Sequence, residues 1–171
     1  MEGSFSRKGW EMWGFRLVLC AMAAFLAHVA AAEPAPALSV PTLAGPAFDL
    51  SAQRGHVVIV NFWATWCVPC RAEMPILDAF YKKHQAEGLT LIGVSVDTPY
   101  ALPKVKSVAA TVSYPIAVAR DALSNGFPAI NELPVTYVID AQGQVKATLK
   151  PDEKGLTEQQ LAALVEPLLK K

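Results

Sequence analysis

The run HVVIVNFW, residues 56–63, is almost continuously apolar and rich in β-branched side chains. Such a run predicts a central strand buried on both faces, not a strand with one face in water. From Val68 the period changes. Met74, Leu77 and Tyr81, with Ile76 and Phe80 beside them, fall at helical spacing, and Lys82, Lys83 and Glu87 gather toward the end, where Gly88 is placed to cap. Pro75 lies inside this helix and predicts a kink. LTLIGVSVD, residues 89–97, is a second buried strand, and PYALPKVKSVAA a helix after it. Strand, helix, strand in this order predicts a parallel pair joined by a right-handed crossover.

Beyond it the pattern shortens. YPIAVAR reads as a short strand and DALSNGFPAINEL as a turn or short helix. VTYVID, AQGQ and VKATLK read as two antiparallel strands around a Gly-containing turn. TEQQLAALVEPLLKK closes the chain as an amphipathic helix with Thr157 at its N-cap and Glu or Gln in its first turn. Ahead of the first strand, EPAPALSVPTLAGPAFDLSAQRG is too rich in Pro and Gly for a helix and reads as irregular chain with short extended pieces. The whole predicts one α/β sandwich domain of about four to six strands.

Composition narrows the function classes. The 171 residues are 53% hydrophobic and carry 15 basic and 15 acidic side chains, so there is no cationic excess with which to neutralise nucleic-acid phosphates. The N-terminus stands apart. Arg7, Lys8 and Arg16 precede the apolar run LVLCAMAAFLAHVAAA, which ends in small residues before Glu33. A basic start, an apolar middle and small residues at a cut site predict a secretory signal peptide over residues 1–32, cleaved after Ala32, ahead of a domain at 33–171. An uncleaved membrane anchor is the rival, but the run contains His28 and falls short of the ~20 apolar residues of a spanning helix.

Removing residues 1–32 takes Cys20 with them and leaves Cys67 and Cys70. These two could close only a very small loop, so a scaffold staple is disfavoured. Zinc needs about four ligands, and His56 and His84, isolated in sequence, are the only histidines left to supply them; His56 reads as the start of a strand and His84 as a solvated helix end. No metal site is expected, although transient binding of a softer metal such as copper by the reduced pair is compatible with two thiols. The remaining reading is redox. Cys67 stands at a strand-to-helix junction, where free backbone N–H groups and the helix dipole stabilise a thiolate, and Cys70 lies one turn on, with Pro69 stiffening the turn between them. Cys67 is therefore the attacking thiol and Cys70 the resolving one.

The segment FWATWCVPC followed by RAEMP resembles the active-site segment of the thioredoxin superfamily. With Asn61, Thr65 and Glu73 around it, the WCxPC form is similar to the exported TlpA/ResA-like thiol-disulfide oxidoreductases, and the likeness extends through LPVTYVID to the closing helix. The resemblance implies a thioredoxin-like three-layer α/β sandwich with a central mixed β-sheet flanked by helices. It implies no cofactor, a redox-active Cys67–Cys70 disulfide, and a carboxylate at Glu73 that takes part in proton transfer and thiol tuning. It also implies a cis peptide bond before Pro134, with Leu133 offering backbone groups to an extended client peptide, and Trp66 shielding the disulfide and contacting substrate. Asn61 departs from the many thioredoxins that carry an acid there.

The activity implied is reduction of disulfides in specific client proteins, in the periplasm or otherwise outside the cytoplasm, by a monomer recharged by a membrane thiol-disulfide electron donor. Apocytochrome c during cytochrome c maturation and copper-site proteins are the candidate clients. ELPVT stands where dedicated cytochrome-biogenesis thioredoxins have a GVPET-type loop, which favours the broader TlpA/ResA group. The alternatives are a disulfide oxidant or isomerase and a non-catalytic, metallochaperone-like module on the same fold.

Overall fold

The computed structural model describes residues 33–152 and 155–169. The expected signal segment over residues 1–32, with its cut after Ala32, lies outside the described residues. Two short strands, β1 (Glu33–Pro34) and β2 (Leu38–Val40), open the described chain, followed by β3 (Phe48–Asp49) and the long β4 (Val57–Trp63). Helix α1 (Val68–His84), β5 (Leu89–Ser95), α2 (Leu102–Ala109), β6 (Ile116–Val118), β7 (Ser124–Asn125), β8 (Val135–Ile139), β9 (Gln144–Leu149) and α3 (Glu158–Val165) complete it.

The central sheet has the order β1-β9-β8-β4-β5-β6. β4, β5 and β6 are parallel, while β8 runs antiparallel to β4, and β9 to β8. β4 is thus enclosed by neighbours on both edges, and all seven of its residues are buried, as its unbroken apolar run requires. Its side chains divide by parity. Val57, Ile59 and Trp63 join Met74, Leu77 and Phe80 of α1, Val105 of α2, and Leu161 and Val165 of α3 in one core. Val58, Val60 and Phe62 join Leu38, Val40, Phe48, Phe127 and Tyr137 in the other. The α/β sandwich with a mixed sheet flanked by helices is therefore present, with the three described helices all feeding one core. The opposite layer is a small sheet of order β3-β2-β7 together with its loops. It draws on the Pro-rich lead, whose strands of two or three residues are too short to leave a periodic pattern, and on part of 121–133, which, of the expected turn or short helix, forms no helix and contributes β7 after the 3₁₀ turn Ala119–Asp121.

The ends of the elements follow local chemistry. Gly88 ends the chain's turn after α1 at φ +94°, a conformation that favours glycine. Thr157 and Gln160 form a reciprocal capping box at the start of α3. Gly93 has a steric reason: a Cβ there would meet Ile116 Cδ1 at 2.6 Å and Trp63 Nε1 at 3.2 Å.

Candidate functional site

The Cys67–Cys70 pair sits where β4 gives way to α1. After Trp63 the chain makes a turn closed by the Cys67 N–H donating to Ala64 O at 3.1 Å. Cys67 then takes extended backbone angles as the N-cap of α1, and Pro69 occupies the first turn, where a missing N–H costs the helix nothing. The two sulfurs are bonded, and the Cys70 N–H donates to Cys67 Sγ at 3.1 Å. The Cys70 N–H at this end of α1 therefore faces the Cys67 sulfur, which is the arrangement that stabilises a thiolate when the disulfide opens.

Neither cysteine stands out into solvent. Cys67 is 5% exposed and Cys70 2%, while Trp66 between the turn and the cap is 66% exposed. Val68 and Pro69 are exposed as well. Trp66, Val68 and Pro69 thus make the accessible rim around the pair.

The turn itself is anchored. Asp97, just beyond β5 and 4% exposed, accepts from the Thr65 N–H at 2.8 Å, from Thr65 Oγ1 at 2.7 Å and from Ser95 Oγ at 2.8 Å. The Asp97 N–H in turn donates to Ser95 Oγ at 3.1 Å. Sequence reasoning passed over Asp97, reading it as the last residue of a strand; the available signal was a lone acid ending an otherwise apolar stretch, VSVD.

Glu73 lies one turn beyond Cys70 on α1 and is only 8% exposed. Its Oε1 accepts from the Leu156 N–H at 3.2 Å. Burial pushes its carboxyl above the ordinary value; the Leu156 hydrogen bond opposes this and the charge of Asp152 adds to it. Glu73 opens into a cleft shared with Pro134, Thr136, Asp152 and Leu156, with about 30 Å3 of space for water. That is enough for a water molecule or two. Asn61, buried in β4, donates from Nδ2 to Thr136 Oγ1 at 2.9 Å, so the cross-strand pair of β4 and β8 reaches the same cleft. The Leu133–Pro134 bond is cis, and Leu133 packs on the core that contains both cysteines. Cys70 and Glu73 of α1 thus lie over the sheet face that carries the Asn61–Thr136 pair, with Pro134 lining the cleft beside Glu73.

The histidines lie elsewhere. His56 is exposed just before β4. His84 is not a solvated helix end: it is buried at the end of α1, 4.4 Å from the Phe80 ring, with Nδ1 3.1 Å from Glu87. The closing helix α3 and its 3₁₀ extension cover it, bringing Glu166 to 3.4 Å from Nε2. Among the described residues no group of three or more Cys, His, Asp or Glu side chains is placed to hold a metal ion.

Comparison with known proteins agrees with this geometry. The model of the AhpC/TSA family matches residues 31–148. The thiol-disulfide oxidoreductase ResA of Geobacillus thermodenitrificans is 34% identical over 119 residues, which is 69% of this chain and 68% of that one. A solved thiol:disulfide interchange protein of the thioredoxin family from Chlorobium tepidum is 29% identical, with a TM-score of 0.63 over 81% of this chain and 97% of that one. A solved secreted thiol-disulfide isomerase from Corynebacterium glutamicum is 26% identical, with a TM-score of 0.61 over 78% of this chain and 84% of that one.

Proposed function

From a chain that belongs to the AhpC/TSA family and is a thiol-disulfide oxidoreductase of the ResA type, we propose an exported reductase of client-protein disulfides, with Cys67 as nucleophile and Cys70 as resolving thiol. The observation that carries this reading is the position of Cys67 as N-cap of α1, with its sulfur bonded to Cys70 and accepting the Cys70 N–H.

In the reduced protein the Cys67 thiolate attacks one sulfur of a client disulfide. The Cys67–client S–S bond forms, the client's own bond breaks, and the departing client sulfur takes a proton. Cys70 then loses its proton and attacks Cys67 Sγ. The Cys67–Cys70 bond forms, the mixed disulfide breaks, and the client leaves with both sulfurs reduced while the enzyme holds the disulfide. A membrane dithiol donor restores the thiols by the reverse exchange.

Glu73 is the acceptor we assign to the Cys70 proton. Its burial raises the carboxyl above the value of a surface glutamate, and the cleft on which it opens has room for a water. Asn61 holds Thr136 and supplies no acid. Leu133 and cis-Pro134 present the edge against which an extended client segment pairs, and the exposed Trp66 ring meets the client beside Cys67.

The clients best suited to such a reductase are exported proteins whose cysteines must be thiols before a metal group is attached: apocytochrome c or copper-site proteins. Export is supported by the basic and apolar pattern of residues 1–32 and by the secreted relative; no helix among the described residues is long and apolar enough to cross a membrane. The relative named as an isomerase supports a second reading, net oxidation or isomerisation on the same dithiol. Insulin reduction by the purified protein, followed by equilibrium against a glutathione buffer, tests the assignment. A reductase turns insulin over and has a potential well below that of isomerases; about 30 mV corresponds to 1.4 kcal/mol for this two-electron couple. No insulin reduction, or a potential at or above the isomerase range, contradicts it.

A further inference from the structure

The carboxylate of Asp97 has no part in the exchange steps above, yet it is buried and accepts three hydrogen bonds, two of them from one residue of the turn that precedes Cys67. We infer that Asp97, acting through Thr65, is a positioning residue that holds the Cys67 sulfur in the field of the α1 N-terminus. The inference rests on the proposed role of Cys67 as nucleophile.

The geometry concentrates the constraint near the sulfur. Trp63 O, the last acceptor of β4, takes the Val96 N–H at 2.9 Å, so the two parallel strands leave the sheet zipped together. Beyond that point β4 has no further ladder partner. Asp97 takes over by binding both the backbone N–H and the hydroxyl of Thr65, and Ser95 Oγ braces it by donating to the same carboxylate oxygen as the Thr65 N–H and accepting from the Asp97 N–H. Only Trp66 then separates the fixed Thr65 from Cys67. Trp66 is mostly exposed and supplies little packing of its own, so the 64–67 turn depends on the Thr65 anchor for its place against α1.

Two bonds to one carboxylate matter because each restricts a different degree of freedom. The backbone bond fixes the plane of the Ala64–Thr65 peptide, and the hydroxyl bond fixes the Thr65 side chain. Without them, Cys67 retains the Ala64 hydrogen bond but the turn can rotate as a unit, carrying Sγ away from the helix N–H groups. The thiolate then loses part of the stabilisation that a helix N-terminus gives, an effect confined to the first turn. A direct charge effect would have the opposite sign: a negative group near Cys67 disfavours its thiolate, so neutralising Asp97 by charge alone would favour it.

That difference in sign makes the test decisive. The pH profile of Cys67 alkylation by iodoacetamide is measured in the reduced full chain carrying Cys70→Ser, alone and with Asp97→Asn, Thr65→Val or Thr65→Ser. Positioning predicts that Asp97→Asn and Thr65→Val both move the midpoint up, with the thiolate fraction near neutral pH falling about fivefold, the loss of roughly one helix-terminus interaction. Thr65→Ser, which keeps both donors, leaves the midpoint where it was. An unmoved midpoint in a destabilised Asp97→Asn or Thr65→Val protein, or a midpoint that moves down, overturns the inference. Should Asp97→Asn fail to fold, Thr65→Val decides alone, since it is nearly isosteric and leaves the Ser95–Asp97 pair intact. Alkylation needs no client, so a wild-type protein that fails to reduce insulin defeats the proposed function without altering this profile.

Discussion

Replacing Glu73 with Gln removes a buried titrating group while keeping an oxygen that accepts the Leu156 N–H. Side chains three residues apart on a helix have Cβ atoms about 5–6 Å apart. Two unit charges at that separation repel by about 3 kcal/mol at an effective dielectric constant near 20. An ionised Glu73 therefore disfavours the Cys70 thiolate by at most roughly a hundredfold. Burial raises the carboxyl above its ordinary value, which can only reduce the effect; an increase of about tenfold in Cys70 thiolate at neutral pH is the expected outcome for Glu73→Gln. The assay is the pH profile of Cys70 alkylation in a reduced Cys67→Ser protein, with and without Glu73→Gln. The same variant also reports on stability. Because burial raises the Glu73 carboxyl above its ordinary 4.5, the native state binds more protons than the unfolded one between 4.5 and the folded value. Wild-type stability contributed by this group therefore falls as pH rises through that window, and the variant gains on wild type over the same range. A Cys70 profile that stays put or moves to higher pH refutes the reasoning, as does a stability difference that is flat across the window.

Two further predictions test how the fold supports the site. Gly93→Ala places a Cβ 2.6 Å from Ile116 Cδ1 and 3.2 Å from Trp63 Nε1; overpacking of this kind costs about 1–3 kcal/mol, read by chemical denaturation. Thr157→Ala removes the hydroxyl that accepts from the Gln160 N–H at 3.2 Å, and should cost about 0.5–2 kcal/mol while leaving insulin reduction in place, because α3 contributes packing and not chemistry.

The parts of the fold that were legible in advance are those whose burial is written locally. β4 and β5 are enclosed on both faces, so their apolar runs alone declare them, and α1 carries its period in Met74, Leu77 and Phe80. Thr157 and Gln160 spell out a cap within four residues. The short extended pieces of the lead are present as β2 and β3, but their pairing into a small sheet is not legible, because they are too short to show alternation and β7 reaches β2 only through the folded chain. Asp97 and Glu73 were hard to weigh for a related reason. An acid at the end of VSVD becomes a structural acceptor only when Thr65, thirty-two positions earlier, is brought to it. Glu73 looks like any helix-face glutamate until Leu156, eighty-three positions later, closes over it. His84 misled in the same way, since α3 and its extension supply the cover that its own helix lacks. The cysteine pair was plain because spacing, helix start and Pro69 are all contiguous in sequence.

Whether Cys67 attacks and Cys70 resolves is decided by presenting a reduced Cys70→Ser protein with an oxidised client and separating the products without reductant. With Cys67 as nucleophile, a mixed disulfide accumulates, maps to Cys67 by peptide mass and dissolves on adding a thiol; a complex mapped to another residue, or none at all from a folded protein whose Cys67 still alkylates, rules out that role.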